Sequence, residues 1–219
     1  MMKILYNGCS ITWGDELTDR ENQRYSRLVS NHYNAEEVNL ASNGISNDRI
    51  VRESIAYLDK NSVDLIVVQF TLYTRIEWFR KDGSILDMHI HQKKHPASFY
   101  YKWIYNDYNG IENMWKNLVL FDTYCTQKRI KYVPLLADHH KDALQLKNNW
   151  QKLYHGKPLT HLHRGILKRT PKPHMMSSGI IPEGYIPENF TLPNNHPSPK
   201  GHKLIAEKVI ELIDDVSVF

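Results

Sequence analysis

A serine and a histidine stand at opposite ends of this sequence, each in a setting that suits acyl-transfer chemistry. Ser10 lies in Asn7-Gly8-Cys9-Ser10-Ile11-Thr12-Trp13-Gly14, directly after the short apolar run Met2-Lys3-Ile4-Leu5-Tyr6. A strand that ends in Gly and hands a Ser to the next turn exposes that Ser at the carboxyl edge of a sheet, where open α/β folds bind ligands. A helix amino terminus at that edge has free N–H groups that can hold a developing oxyanion. The competing reading of Ser10 is a helix cap. His196 lies in Asn194-Asn195-His196-Pro197-Ser198-Pro199-Lys200-Gly201-His202, just ahead of the periodic apolar residues Leu204, Ile205, Val209, Leu212 and Ile213. In a doubly wound sheet, residues this distant in sequence meet at one edge. Ser10 is therefore the candidate nucleophile and His196 the candidate base. Cys9, one position earlier in the turn, is the weaker candidate because its side chain is expected to point away from the cleft.

These segments resemble the SGNH, or GDSL-like, hydrolase superfamily. Its first block, Gly-Asp-Ser followed by Gly, corresponds to Gly8-Cys9-Ser10 with Gly14. The second corresponds to Asn39-Leu40-Ala41-Ser42-Asn43-Gly44-Ile45-Ser46, and the last, Asp-x-x-His-Pro, to His196-Pro197. The spelling from Gly8 to Leu17 further resembles a branch common in bacteriophage genomes. The resemblance implies an α/β, flavodoxin-like three-layer sandwich with a central parallel sheet of four or five strands. It implies a serine hydrolase that cleaves a carboxylic ester, a short-chain or acetyl ester by default, with no cofactor. The N–H groups of Ser10 and Gly44 would hold the oxyanion, Asn43 is the nearest amide for a third donor, and Arg75 is a further oxyanion or substrate contact. Three positions depart from the family pattern. Cys9 replaces an Asp, no third-block Asn stands in Gln69 to Arg75, and Pro193 occupies the place of the Asp that orients the His. Orientation of His196 then falls to a backbone carbonyl, Asn194 or Asp138, and Pro193→Asp is expected to raise activity. The alternative function is a binding or assembly protein that keeps the fold without turnover.

The elements that must position these residues alternate between strand and helix, as a parallel sheet requires. Strands are expected at Lys3 to Tyr6, Glu37 to Leu40, Val63 to Phe70 and Lys131 to Leu136. Helices are expected at about Thr18 to His32, Asn47 to Asp59, Ile111 to Lys128 and Pro199 to Ile213. The 219 residues read as one domain with insertions at about 78–108 and 139–186, either shaping the substrate pocket as a lid or elaborating the surface. The pairs His89/His91 and His161/His163, each spaced to project to one face of a strand, and the run Asp138-His139-His140 suggest metal ligation. No helical His-x-x-x-His pair or Cys cluster joins them, so no metal is assigned. Basic stretches at Arg75 to Lys81 and Arg164 to Lys172 read as solvated faces, and a net charge of +4 gives no case for nucleic acid. The two cysteines, Cys9 and Cys125, suit a reducing compartment. With no leader or membrane span apparent, the expected setting is cytoplasm, that of a phage-infected bacterium included, and the expected partner a small-molecule or glycan ester.

Overall fold

The computed structural model describes residues 1–136, 174–175 and 196–217. Strand β1 (Lys3–Asn7) lies parallel between β2 (Glu36–Asn39) and β3 (Leu65–Phe70). Beyond a separate antiparallel hairpin of β4 (Ile76–Phe79) and β5 (Ile85–Met88), the sheet continues through β6 (Tyr132–Leu136) to the two-residue β7 (His174–Met175). The order β2-β1-β3-β6-β7, all parallel, is the flavodoxin-like arrangement expected from the sequence. All six residues of β3, Leu-Ile-Val-Val-Gln-Phe, are buried, because helices cover a central parallel strand on both faces.

Alternation along the strands sends side chains into two separate cores. Ile4, Tyr6, Leu65, Val67, Val133 and Leu135 meet helices α3 (Tyr25–His32) and α7 (Pro199–Ser217). Leu5, Ile66, Val68 and Phe70 meet α4 (Asn47–Leu58) and α6 (Asp107–Lys128) on the other side. Ser46 caps α4, its hydroxyl accepting from the Arg49 N–H at 3.2 Å.

Two segments differ from the sequence reading. The helix expected from Thr18 to His32 is broken into α2 (Arg20–Gln23) and α3 at Arg24, whose backbone is extended. The break lets the Arg24 guanidinium grip both oxygens of the buried Glu37 carboxylate at 2.9 and 3.0 Å, tying this segment to β2. A paired charge in that position outweighs local helix propensity. The first insertion is also no bare loop. It holds β4, β5 and α5 (Ala97–Trp103), fastened by Tyr101, whose hydroxyl lies 2.6 Å from Thr74 O and 2.9 Å from Met88 O.

Helix α7 is tied to α3 by His202, fully buried, whose Nδ1 accepts the Tyr25 N–H at 3.1 Å. Burial, reinforced by nearby His196, lowers the His202 pKa from its ordinary 6.5 to about 4. The native state therefore holds this ring neutral, whereas the unfolded chain protonates it below pH 6.5. The resulting stability is fully present above pH 6.5 and is lost as pH falls toward 4. At about 1.4 kcal/mol per unit the loss is about 3 kcal/mol. Denaturant unfolding between pH 7 and 4 should show this decline, and His202→Asn, which keeps an acceptor for Tyr25, should remove it.

Candidate active site

The chain leaves β1 at Asn7 and turns immediately into the four-residue helix α1 (Ser10–Trp13). Asn7 braces the exit: its amide donates to Ile50 O and Ser54 Oγ, both at 2.9 Å, and its carbonyl accepts the Gly8 N–H. Gly8 is needed for space. A Cβ there would lie 2.4 Å from Thr12 Oγ1 and 2.8 Å from Gln69 Cβ. Thr12 donates to Gln69 Oε1 at 2.7 Å and so accepts from Tyr25, whose hydroxyl is 2.9 Å away. The Gln69 amide donates to Cys9 Sγ at 3.4 Å. Cys9 is buried beneath the turn. Burial pushes its thiol up, but the Arg75 guanidinium and local hydrogen bonds outweigh this and hold it below the usual value.

Ser10 follows, 4 % exposed, as the first residue of α1, and its hydroxyl lies 3.9 Å from Cys9 Sγ. Gly14 ends the helix in the left-handed conformation, φ 83°, with its N–H and that of Asp15 both reaching Ser10 O at 2.9 Å. Glu16 is also left-handed, φ 64°, a strained setting for a residue with a side chain. This tight turn aims two carboxylates at His196. Glu16 Oε2 lies 2.9 Å from His196 Nδ1, and Asp15 Oδ2 lies 3.9 Å from Nε2. The Glu16 contact fixes the proton on Nδ1 and leaves Nε2 as the basic atom. Ser10 and His196 themselves share no hydrogen bond among the described residues.

The carboxylate partner of His196 is thus close to Ser10 in sequence and far from the His. The family pattern places it three residues before the His, and that expectation hid Glu16, although the Gly14-Asp15-Glu16 run sits inside the matched block. The idea that Pro193 leaves His196 without an acidic partner no longer holds, and the expected gain from Pro193→Asp goes with it. Asn194 and Asp138 lie outside the described residues, as do Pro193 and the His161/His163 and Asp138–His140 groups.

The second-block loop flanks the same turn. Asn39 donates to Thr12 O and Ser26 Oγ, each at 3.1 Å, and Gly8 O accepts the Ser42 N–H. Gly44 is left-handed, φ 76°, with open space where a Cβ would stand, so a ligand can approach its backbone. Asn43 is exposed and donates to Asp15 Oδ2 at 2.6 Å. Asn47 holds the loop after β3 by accepting the Thr71 N–H at 2.7 Å and donating to Thr71 O at 3.1 Å. Asn7, Asn39 and Gln69 had no assigned role in the sequence, since amide side chains carry no pattern that reveals a tertiary partner. His89 and His91 lie just after β5 rather than on a strand, with rings 6.2 Å apart. Among the described residues no three His, Cys, Asp or Glu side chains converge as metal ligands, and no helix is long and apolar enough to cross a membrane.

No family model matches the chain, and no curated protein matches it in sequence. Solved structures do match. A two-domain esterase active on acetylated mannans, co-crystallised with mannopentaose, is 17 % identical, TM-score 0.57. The match covers 100 % of this chain and 50 % of the esterase, so the chain spans half that protein's length. A member of the lipolytic G-D-S-L family from Veillonella parvula DSM 2008 is 14 % identical over 98 % of this chain and 99 % of its own, TM-score 0.56. The psychrotrophic esterase EstA from Pseudoalteromonas sp., in a structure inhibited by monoethylphosphonate, is 11 % identical over 98 % of both chains, TM-score 0.57. The fold is that of the SGNH, or GDSL-like, hydrolases.

The two glycines of the site respond differently to a methyl group. Gly8→Ala should cost about 1–3 kcal/mol in chemical denaturation, because its Cβ meets the anchored Gln69. Gly44→Ala, with free space but a positive φ, should cost about 1 kcal/mol. Equal costs would show that the turn after β1 yields to the added atom.

Proposed function

We propose that this chain, carrying the fold of GDSL-type esterases, hydrolyses a carboxylic ester through Ser10 and His196, with Glu16 as the orienting carboxylate. The observation that carries this reading is the 2.9 Å contact of Glu16 with His196 Nδ1, at the sheet edge that also presents Ser10. In this mechanism His196 Nε2 removes the Ser10 hydroxyl proton as Oγ attacks the acyl carbon. The tetrahedral oxyanion is held by the N–H groups of Ser10 and Gly44, each such donor being worth about 2.7–4 kcal/mol. The imidazolium, stabilised by Glu16, then protonates the departing alcohol. Water attacks the acyl-enzyme with the same base accepting its proton, and Ser10 is released. Ser10 must turn from Cys9 toward His196 when substrate binds, since such bonds often tighten only in the substrate complex.

A short acyl group, such as an acetyl on a glycan, is the substrate class proposed, supported by the fold's likeness to an esterase active on acetylated mannans. Cytoplasm is the proposed setting, on the strength of two buried free thiols at Cys9 and Cys125. The phage-type branch stays a reading of the Gly8 to Leu17 spelling alone. A second reading, a binding protein without turnover, draws on the missing Ser10–His196 hydrogen bond.

Kinetics on p-nitrophenyl acetate separate the two. Ser10→Ala and His196→Ala should each lower kcat/KM by about 10³-fold or more, and Glu16→Gln by about 10²-fold or more. His196→Ala should leave stability within about 1 kcal/mol of the parent. Labelling by a fluorophosphonate probe should require Ser10. A folded parent chain that neither turns over ester nor takes the label refutes the hydrolase reading and leaves the binding protein.

A further inference from the structure

Arg75 is a half-buried cation with no carboxylate partner among the described residues. It follows β3, its N–H closing a turn onto Leu72 O at 3.1 Å, and it directly precedes β4. Its Nε and Nη1 are sealed from water and have no acceptor among the described residues. The neighbouring arginines are different. Arg49 holds Asp87 at 2.7 Å and Glu53 at 2.8 Å, and Arg52 holds Glu77 at 2.9 Å. Donors left unpaired inside a protein are costly, and proteins break such a rule chiefly where a ligand completes the site.

The surroundings of Arg75 are built rather than incidental. The hairpin register pairs Ile76 with Met88, so Arg75, just before β4, and His89, just after β5, flank the same end of the hairpin. The Tyr101 hydroxyl sits within hydrogen-bond reach of the carbonyls of Thr74 and Met88, which places it beside both residues. Burial, Arg75 and His91 together lower the His89 pKa, which leaves a neutral imidazole with an N–H to donate. On the other side Arg75 acts on Cys9, the residue before Ser10. A planar guanidinium matches the two oxygens of a carboxylate or phosphate better than any neutral group.

We propose that Arg75, with His89 beside it, binds an oxyanion group of the substrate, so that the preferred substrates are esters carrying a carboxylate or phosphate near the scissile bond. The ester part of this statement rests on the hydrolase reading above, whereas capture of the anion does not.

Isothermal titration of the full chain with D-glucuronate, inorganic phosphate and D-glucose tests the capture directly. The parent protein and Ser10→Ala should bind an anion equally and leave glucose unbound, and Arg75→Gln should weaken anion binding about tenfold or more. Tighter binding of glucuronate identifies a carboxylate site, and tighter binding of phosphate a phosphoryl site. The ring resonances of His89 in the parent protein should move on adding the anion, which decides the matter even where Arg75→Gln does not fold. No heat and no movement of His89, or an unchanged affinity in folded Arg75→Gln, overturns the anion site. Turnover is read separately on p-nitrophenyl acetate and mono-p-nitrophenyl succinate. Anion binding without turnover of either refutes only the hydrolase reading, and turnover without anion binding refutes only the anion site.

Discussion

The turn after β1 lies so close to β3 that residue 8 has room only for hydrogen as a side chain. That approach lets Thr12 reach Gln69 and lets Gln69 reach Cys9, so the underside of the turn is held by buried hydrogen bonds. Buried polar groups of this kind stabilise one geometry strongly, because any shift leaves a donor or acceptor unsatisfied. Everything on the upper side follows from it: the position of Ser10, the left-handed pair Gly14 and Glu16, and the direction of the Glu16 carboxylate.

The other half of the site is set by α7. Tyr25 on α3 holds His202 through its N–H, and Tyr33 donates to Ile210 O at 3.2 Å and lies 2.7 Å from Asp214. These ties fix where α7 begins, and His196 stands three residues ahead of that point. The Glu16–His196 contact is therefore made between two separately anchored segments, 180 residues apart in sequence. Such a junction can set the tautomer of an imidazole from a distant part of the chain.

Polar side chains divide sharply in this molecule. Asn7, Asn39, Asn47 and Gln69 are spent on backbone and on neighbouring side chains, and Glu37 is buried between Arg24 and Arg27. Around them the structure satisfies its buried groups, as native proteins generally do. Two guanidinium nitrogens of Arg75 are among the exceptions, and Arg75 follows β3 at the carboxyl edge of the sheet, where ligands of this fold class bind.

By itself the sequence determined the parallel sheet and the candidate pair. Strand–helix alternation, the all-apolar stretch at Val63 to Val68 and the periodic run after His196 are local patterns, and local patterns follow from backbone geometry and solvent exposure. Ser10 and Gly44 were legible for the same reason, since each sits in a turn next to a strand end. The tertiary structure alone decided that Arg24 breaks a helix to reach Glu37, and that Glu16 rather than a residue near His196 supplies the carboxylate. It also left two buried nitrogens of the Arg75 guanidinium without an acceptor among the described residues. Each of these depends on which distant segment arrives opposite a side chain, and residue spacing along the chain carries no record of that distance.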